Sequence, residues 1–182
     1  NGVDYSSVYN CDYYLANNAD VKKAFGNDDI AVLQHFVNYG MNEGRQACND
    51  FNVTSYRLQY VDLRNAYGGQ MKSYYEHYMR YGKKEGRVAM GCTTVQGATT
   101  VYNGVDYSAV YDYYYYVANN ADVKNAFGND DVAVLQHFVN YGMKEGRCAK
   151  ETFAVQSYRS RYADLQAAYG DNLPAYYMHY IS

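Results

Sequence analysis

The sequence predicts an all-α protein of four short helical sub-repeats, arranged as two tandem modules and stapled by disulfides. Three observations predict it. The text from Ile30 to Arg45 (IAVLQHFVNYGMNEGR) is written again, nearly letter for letter, from Val132 to Arg147. A looser copy lies at Lys72 to Arg87 (KSYYEHYMRYGKKEGR), and a fourth begins at Pro174 and runs to Ser182. All four histidines, His35, His77, His137 and His179, fall at one point of this motif.

Laying residue 103 over residue 1 aligns the two halves without a gap. Within each half a second offset, of 42 residues, relates Tyr14 to Tyr56, Asp20 to Asp62, Gly26 to Gly68 and His35 to His77, then Tyr116 to Tyr158 and His137 to His179. Such periods mark supersecondary units that bury a core by stacking. The expected organisation is a first module over residues 1–87 (sub-repeats 1–47 and 48–87), a small polar linker over 88–102, and a second module over 103–182 (sub-repeats 103–149 and 150–182, the last truncated). The chain starts without methionine and the fourth copy ends before its Gly-x-x-Glu-Gly-Arg. We therefore expect a piece cut from a longer protein.

Each sub-repeat reads as short helices. Tyr13 to Asn17 makes a turn or two, and Ala19 to Phe25 (ADVKKAF) a brief helix ended by Gly26. Asn27 is placed to cap the next helix, with Asp28 and Asp29 in its first turn, where carboxylates suit the positive helix end. Ile30, Leu33, Phe36, Val37 and Tyr39 then recur at helical spacing as one apolar stripe, with Gly40 as the stop. In the second sub-repeat the stripe is Met71, Tyr74, Tyr75, Tyr78 and Tyr81, with Gly82 as the stop. Strand patterning is confined to Thr93 to Tyr102 (TTVQGATTVY), a β-branched run suited to a short extended piece.

Composition narrows the function classes. A net charge of −3 without a basic block makes nucleic acid and anionic membrane poor partners. No apolar run approaches the roughly 20 residues of a membrane span. Four cysteines, Cys11, Cys48, Cys92 and Cys148, admit three connectivities if all are bridged. If the helices of a repeat run up and down, the segment before the first returns beside the segment after the last. That geometry favours Cys11 with Cys48 and leaves Cys92 with Cys148; unpaired buried thiols are the alternative.

Chemistry-bearing residues all have structural readings. A histidine repeated once per unit, without a second ligand at metal spacing, reads as a partly buried imidazole bonded to backbone or to a tyrosine hydroxyl. The Glu-Gly-Arg triplets (Glu43 to Arg45, Glu85 to Arg87, Glu145 to Arg147) read as a glycine turn whose arginine reaches back to the helix end, and Asp20, Asp62, Asp122 and Asp164 as caps or arginine partners. No nucleophile with a base and no phosphate loop is visible. The reading is a non-enzyme without metal or cofactor.

Tyrosine is the informative excess, with 26 Tyr against six Phe and no Trp. Its ring supplies contact area at little entropic cost, as in recognition surfaces. Tyr113 and Tyr114 replace Cys11 and Asp12, which makes them candidates for an exposed patch; packing on the linker is the alternative. Residues 1–47 and 103–149 differ at nine positions, whereas 53–80 and 155–182 differ at half of theirs. The first unit of each module is thus held more tightly, including polar positions such as Lys22, Gln34 and Asn38. This points to a duplicated protein-binding face carried by Gln34, Asn38, Gln136 and Asn140, with Arg64 and Lys72 as neutral controls; recopying of that unit is the competing explanation.

The text NGVDYSAVYDYYYYVANNADVKNAFGNDDVAVLQHFVNYGMKEGR resembles repeats of large secreted surface proteins of gut Clostridia of the Lachnospiraceae type, over essentially the whole chain. Within that group it is most similar to the immunoglobulin-binding B-cell superantigens, which engage antibody heavy-chain variable domains outside the antigen pocket. The resemblance implies a secreted or surface-exposed module that binds Fab through helix faces. Similar units also accompany wall-associated enzymes, so a carbohydrate or cell-wall adhesion module and a structural spacer stand as alternatives. The cysteines are not part of the repeat pattern, and the resemblance assigns no contact residue.

Overall fold

The computed structural model describes residues 2–182, as two compact units, Asn1–Gly97 and Ala98–Ser182. The fold is mainly helical, with one two-stranded sheet among the described residues. In the first repeat α1 (Cys11–Asn17) begins where the Asn10 side chain accepts the Tyr13 amide at 2.9 Å. After one intervening residue follows α2 (Ala19–Phe25), closed by Gly26 at a φ of 60°. Next comes α3 (Asp29–His35), where Asp28, rather than the expected Asn27, accepts the Ala31 amide at 3.0 Å.

Gly40 does not stop this helix. The chain runs on through a π-helical turn (Phe36–Gly40) and α4 (Met41–Glu43), and ends at Gly44, whose φ of 72° is left-handed. The reason for glycine at position 40 is space, because a Cβ there would collide with the Tyr14 hydroxyl. The second repeat copies the plan with α5 (Val53–Gln59), α6 (Val61–Tyr67), α7 (Met71–His77) and a π turn over Tyr78–Gly82; here the helix does end at Gly82, and a turn follows to Gly86 at a φ of 68°.

The second unit opens with a hairpin of β1 (Val101–Tyr102) and β2 (Val105–Asp106), turned by Asn103 and Gly104 at φ values of 50° and 79°. The extended piece expected over Thr93 to Tyr102 thus reduces to two strand residues. Then come α8 (Tyr113–Asn119), α9 (Ala121–Phe127), α10 (Asp131–His137), a π turn (Phe138–Gly142) and α11 (Met143–Glu145). The last repeat holds α12 (Val155–Arg161), α13 (Ala163–Tyr169) and α14 (Leu173–Ile181).

The π turn changes which residues face the core. Inserting one residue per turn brings Phe36 and Met41, five apart, onto the same side, and both are fully buried with Val32. Of the expected stripe only Phe36 is core; Ile30 and Tyr39 are 66% and 60% exposed. Phe36 meets Tyr75 edge-on at 5.7 Å and so joins the two repeats of the first unit, as Phe138 and Tyr177 do at 5.6 Å in the second.

Disulfide staples are not present: all four cysteines are free thiols. The segment before α1 does return beside the segment after α4, with Tyr9 bridged to Ala47 and the Asn10 amide on the Ala47 carbonyl at 2.7 Å. This register sets Asn10, not Cys11, level with Cys48, and Cys11 has already entered α1. Cys92 and Cys148 belong to different units. Their sulfurs lie on local carbonyls, of Thr94 for one and of Lys150 and Phe153 for the other. Residues 88–102 are shared between the units. The Gln96 and Gly97 carbonyls accept from the Arg64 guanidinium at 2.6 and 3.2 Å, while the Thr99 amide donates to Asp131 Oδ2 at 2.9 Å.

Candidate functional site

One constellation recurs in every repeat. Tyr14, fully buried on α1, sets its hydroxyl 3.1 Å from Nδ1 of His35 at the end of α3. The same pair forms as Tyr56 with His77 at 2.9 Å, Tyr116 with His137 at 3.1 Å and Tyr158 with His179 at 2.9 Å. Burial raises the phenols, Tyr14 and Tyr116 to about 12, so they remain protonated donors at neutral pH. Burial lowers the imidazoles of His77 and His137, with the Arg87 and Arg147 charges adding to the effect. A neutral imidazole accepting a phenol proton is an orienting contact, and it fixes the ring plane.

That ring supports an exposed aromatic. His35 lies between Phe25 and Tyr39, with centroids at 5.7 and 5.6 Å, and Tyr39 is 60% exposed. His77 carries Tyr81 at 5.7 Å and His137 carries Tyr141 at 5.6 Å, with both tyrosines more than half exposed. In the fourth copy His179 packs on Tyr169 at 6.0 Å. The sequence reading placed Tyr39 and Tyr81 in the core stripe and missed them as surface residues. Their signal was the Tyr-Gly pair, since a glycine inside a helix marks the turn that swings the preceding tyrosine outward.

Beside each ledge an arginine clamps the helix ends. Arg45 bonds Asp20 at 2.8 Å, Asn18 at 3.1 Å and Glu43; Arg147 bonds Asp122 at 2.8 Å, Asn120 at 3.0 Å and Glu145. Arg87 does the same with Asp62 and Glu85. The Arg147 guanidinium holds the Asp122 carboxyl down at about 2. The Glu-Gly-Arg triplets and three of the repeated aspartates are therefore joined in structural clamps.

The other expected binding residues divide. Gln34 and Asn38 are exposed and line one open groove of about 580 Å³ with Val3, Tyr5, Ile30, Leu33 and Val37. Gln136 and Asn140 are exposed on the matching helix of the second unit. Tyr113 and Tyr114 do not form a shared patch: Tyr114 is 51% exposed, but Tyr113 is buried at 6% with its hydroxyl on the Gly128 carbonyl at 3.4 Å. Arg64 is fully buried and bonds four backbone carbonyls, which disqualifies it as a neutral control.

Among the described residues no group of His, Cys, Asp and Glu is arranged to hold a metal ion, and no helix is long and apolar enough to cross a membrane. Comparison with protein-family models, curated proteins and solved structures found no match.

Proposed function

We propose that this chain is a module of a secreted or surface-exposed bacterial protein that binds immunoglobulin Fab, on the heavy-chain variable domain, through its helix faces. The observation that carries the reading is the recurrence of an outward tyrosine, Tyr39, Tyr81 and Tyr141, on a histidine held by a buried tyrosine hydroxyl. A folded core does not require an exposed aromatic at the same place three times. Aromatic rings pre-oriented by packing lose little entropy on docking and make good anchors. Gln34, Asn38, Gln136 and Asn140 lie on the same helices and offer amides for the polar rim.

A second reading, a carbohydrate or cell-wall adhesion module, is favoured by the same exposed rings, on whose faces sugars stack. Pull-down of polyclonal Fab run beside a glycan array separates the two. Retention of Fab supports the first and glycan binding the second; silence in both leaves a structural spacer.

A further inference from the structure

The two units are near-copies, yet one face that is covered in the second is open in the first. In the second unit Val101–Tyr102 pairs with Val105–Asp106, and the Tyr107 amide donates to the Thr100 carbonyl at 2.8 Å. The Thr99 amide reaches Asp131 Oδ2 at 2.9 Å. Under this cover Asp131, Leu135 and Tyr107 are 0%, 1% and 5% exposed. Their counterparts in the first unit are Asp29, which is exposed, and Leu33 and Tyr5, which are half-buried. Ile30 stands 66% and Val3 53% exposed, and Leu33, Ile30 and Val3 line the open groove.

The receiving parts are already shaped. Gly2 holds a φ of 69°, close to the 79° of Gly104 in the hairpin turn, and the Asn1-Gly2 pair repeats Asn103-Gly104. The Ser6 amide bonds Asp4 at 2.9 Å, as the Ser108 amide bonds Asp106. Val3 and Asp4, the counterparts of β2, pair with no strand among the described residues.

We propose that this groove and the Val3–Asp4 edge form a docking site for an extended segment of the Ala98–Tyr102 type (ATTVY), joined ahead of Asn1 and closing a hairpin onto Val3–Asp4. Recognition is by strand addition: backbone amides pair with the edge and with the Asp29 carboxylate, and β-branched side chains fill the apolar floor. The segment between modules is then a repeated clasp, whose end is built into the face of the module that follows it. Gln136 and Asn140 stay exposed in the covered copy, so the clasp leaves those amides available to a partner.

The test grafts the ten residues of Thr93–Tyr102 ahead of Asn1 in the full chain and follows amide hydrogen exchange by NMR. Exchange at Tyr5 and along Ile30 to Val37 is expected to slow about tenfold, the factor matching one net backbone hydrogen bond. Asp29→Ala and Leu33→Lys in the grafted chain should each abolish most of that protection while circular dichroism stays helical. Unchanged exchange on grafting overturns the proposal. So does equal protection by a Gly-Ser extension of the same length. Protection of the ungrafted chain that rises with its concentration overturns the in-chain clasp in favour of a second copy as occupant.

Discussion

The hydroxyl of Tyr14 lies 3.1 Å from Nδ1 of His35 and against the backbone of Gly40, five residues further along the same helix. The contact needs both a π-helical turn and a residue without a side chain. Gly40→Ala adds a methyl group where the phenol sits, and overpacking of this kind costs about 1–3 kcal/mol despite the better helix propensity of alanine. Gly40→Ala combined with Tyr14→Phe should recover part of that loss, because the colliding oxygen is gone. Urea titrations of the two single variants and the double variant read the coupling.

Acid stability follows from the same pairs. The folded imidazoles of His77 and His137 lie below their ordinary value, so near pH 6 the unfolded chain binds more protons than the folded one. Their contribution is complete above about 6.5, the unfolded histidine value, and is lost as pH falls through the depressed folded values. The clamped Asp20 and Asp122 lie below the usual carboxylate range, so their contribution fails only in stronger acid. Tm should therefore fall in two steps on acidification. His77→Gln, which keeps an acceptor for Tyr56, should flatten the first step and leave the second.

Arg64 anchors the end of the first unit. It bonds the carbonyls of Arg57 at 2.8 Å, Leu58 at 2.7 Å, Gln96 at 2.6 Å and Gly97 at 3.2 Å. Arg64→Ala strips donors from these carbonyls and should cost about 3 kcal/mol. It should also make the chain near Gly97 sensitive to protease. Lys124→Ala, at the exposed matching position of the third repeat, should stay within about 0.5 kcal/mol.

The free thiols are countable. Native protein reacted with a maleimide and then weighed should carry four adducts after denaturation without reductant, with Cys48 labelling last because it is buried. Reductant should leave Tm unchanged. A mass two hydrogens short per bridge would contradict the free-thiol arrangement.

The aromatic ledge is tested by Tyr39→Ala, Tyr81→Ala and Tyr141→Ala together. Truncated aromatic anchors commonly cost about 2 kcal/mol each, so Fab binding should weaken at least tenfold. Exposed side chains contribute little to folding, so Tm should hardly move. If Gln34→Ala with Asn38→Ala weakens binding more than the triple variant, the groove face rather than the ledge is the contact.

Repetition by itself established much of this protein. The four-fold recurrence of histidine and aspartate and the three-fold recurrence of Glu-Gly-Arg were enough to place the repeats, because each copy builds the same contacts within its own unit. The helix Ala19–Phe25 was legible to the residue, since its glycine end and its spacing are written nearby. Even the imidazole on a tyrosine hydroxyl was among the expected partners.

The tertiary structure decided what depends on contacts between distant residues. The spacing of α3 reads as one unbroken apolar stripe, but the π turn shifts the register after His35, so Phe36 and Met41 both go inward while Tyr39 faces solvent. Gly40 reads as a helix stop because its true reason, the Tyr14 hydroxyl, is 26 residues away in sequence. Cys11 and Cys48 lie on neighbouring segments, but a register offset of one residue keeps them apart. Identical text at Leu33 and Leu135 has different exposure, because burial belongs to whatever segment lies over a side chain, and that segment differs between the copies.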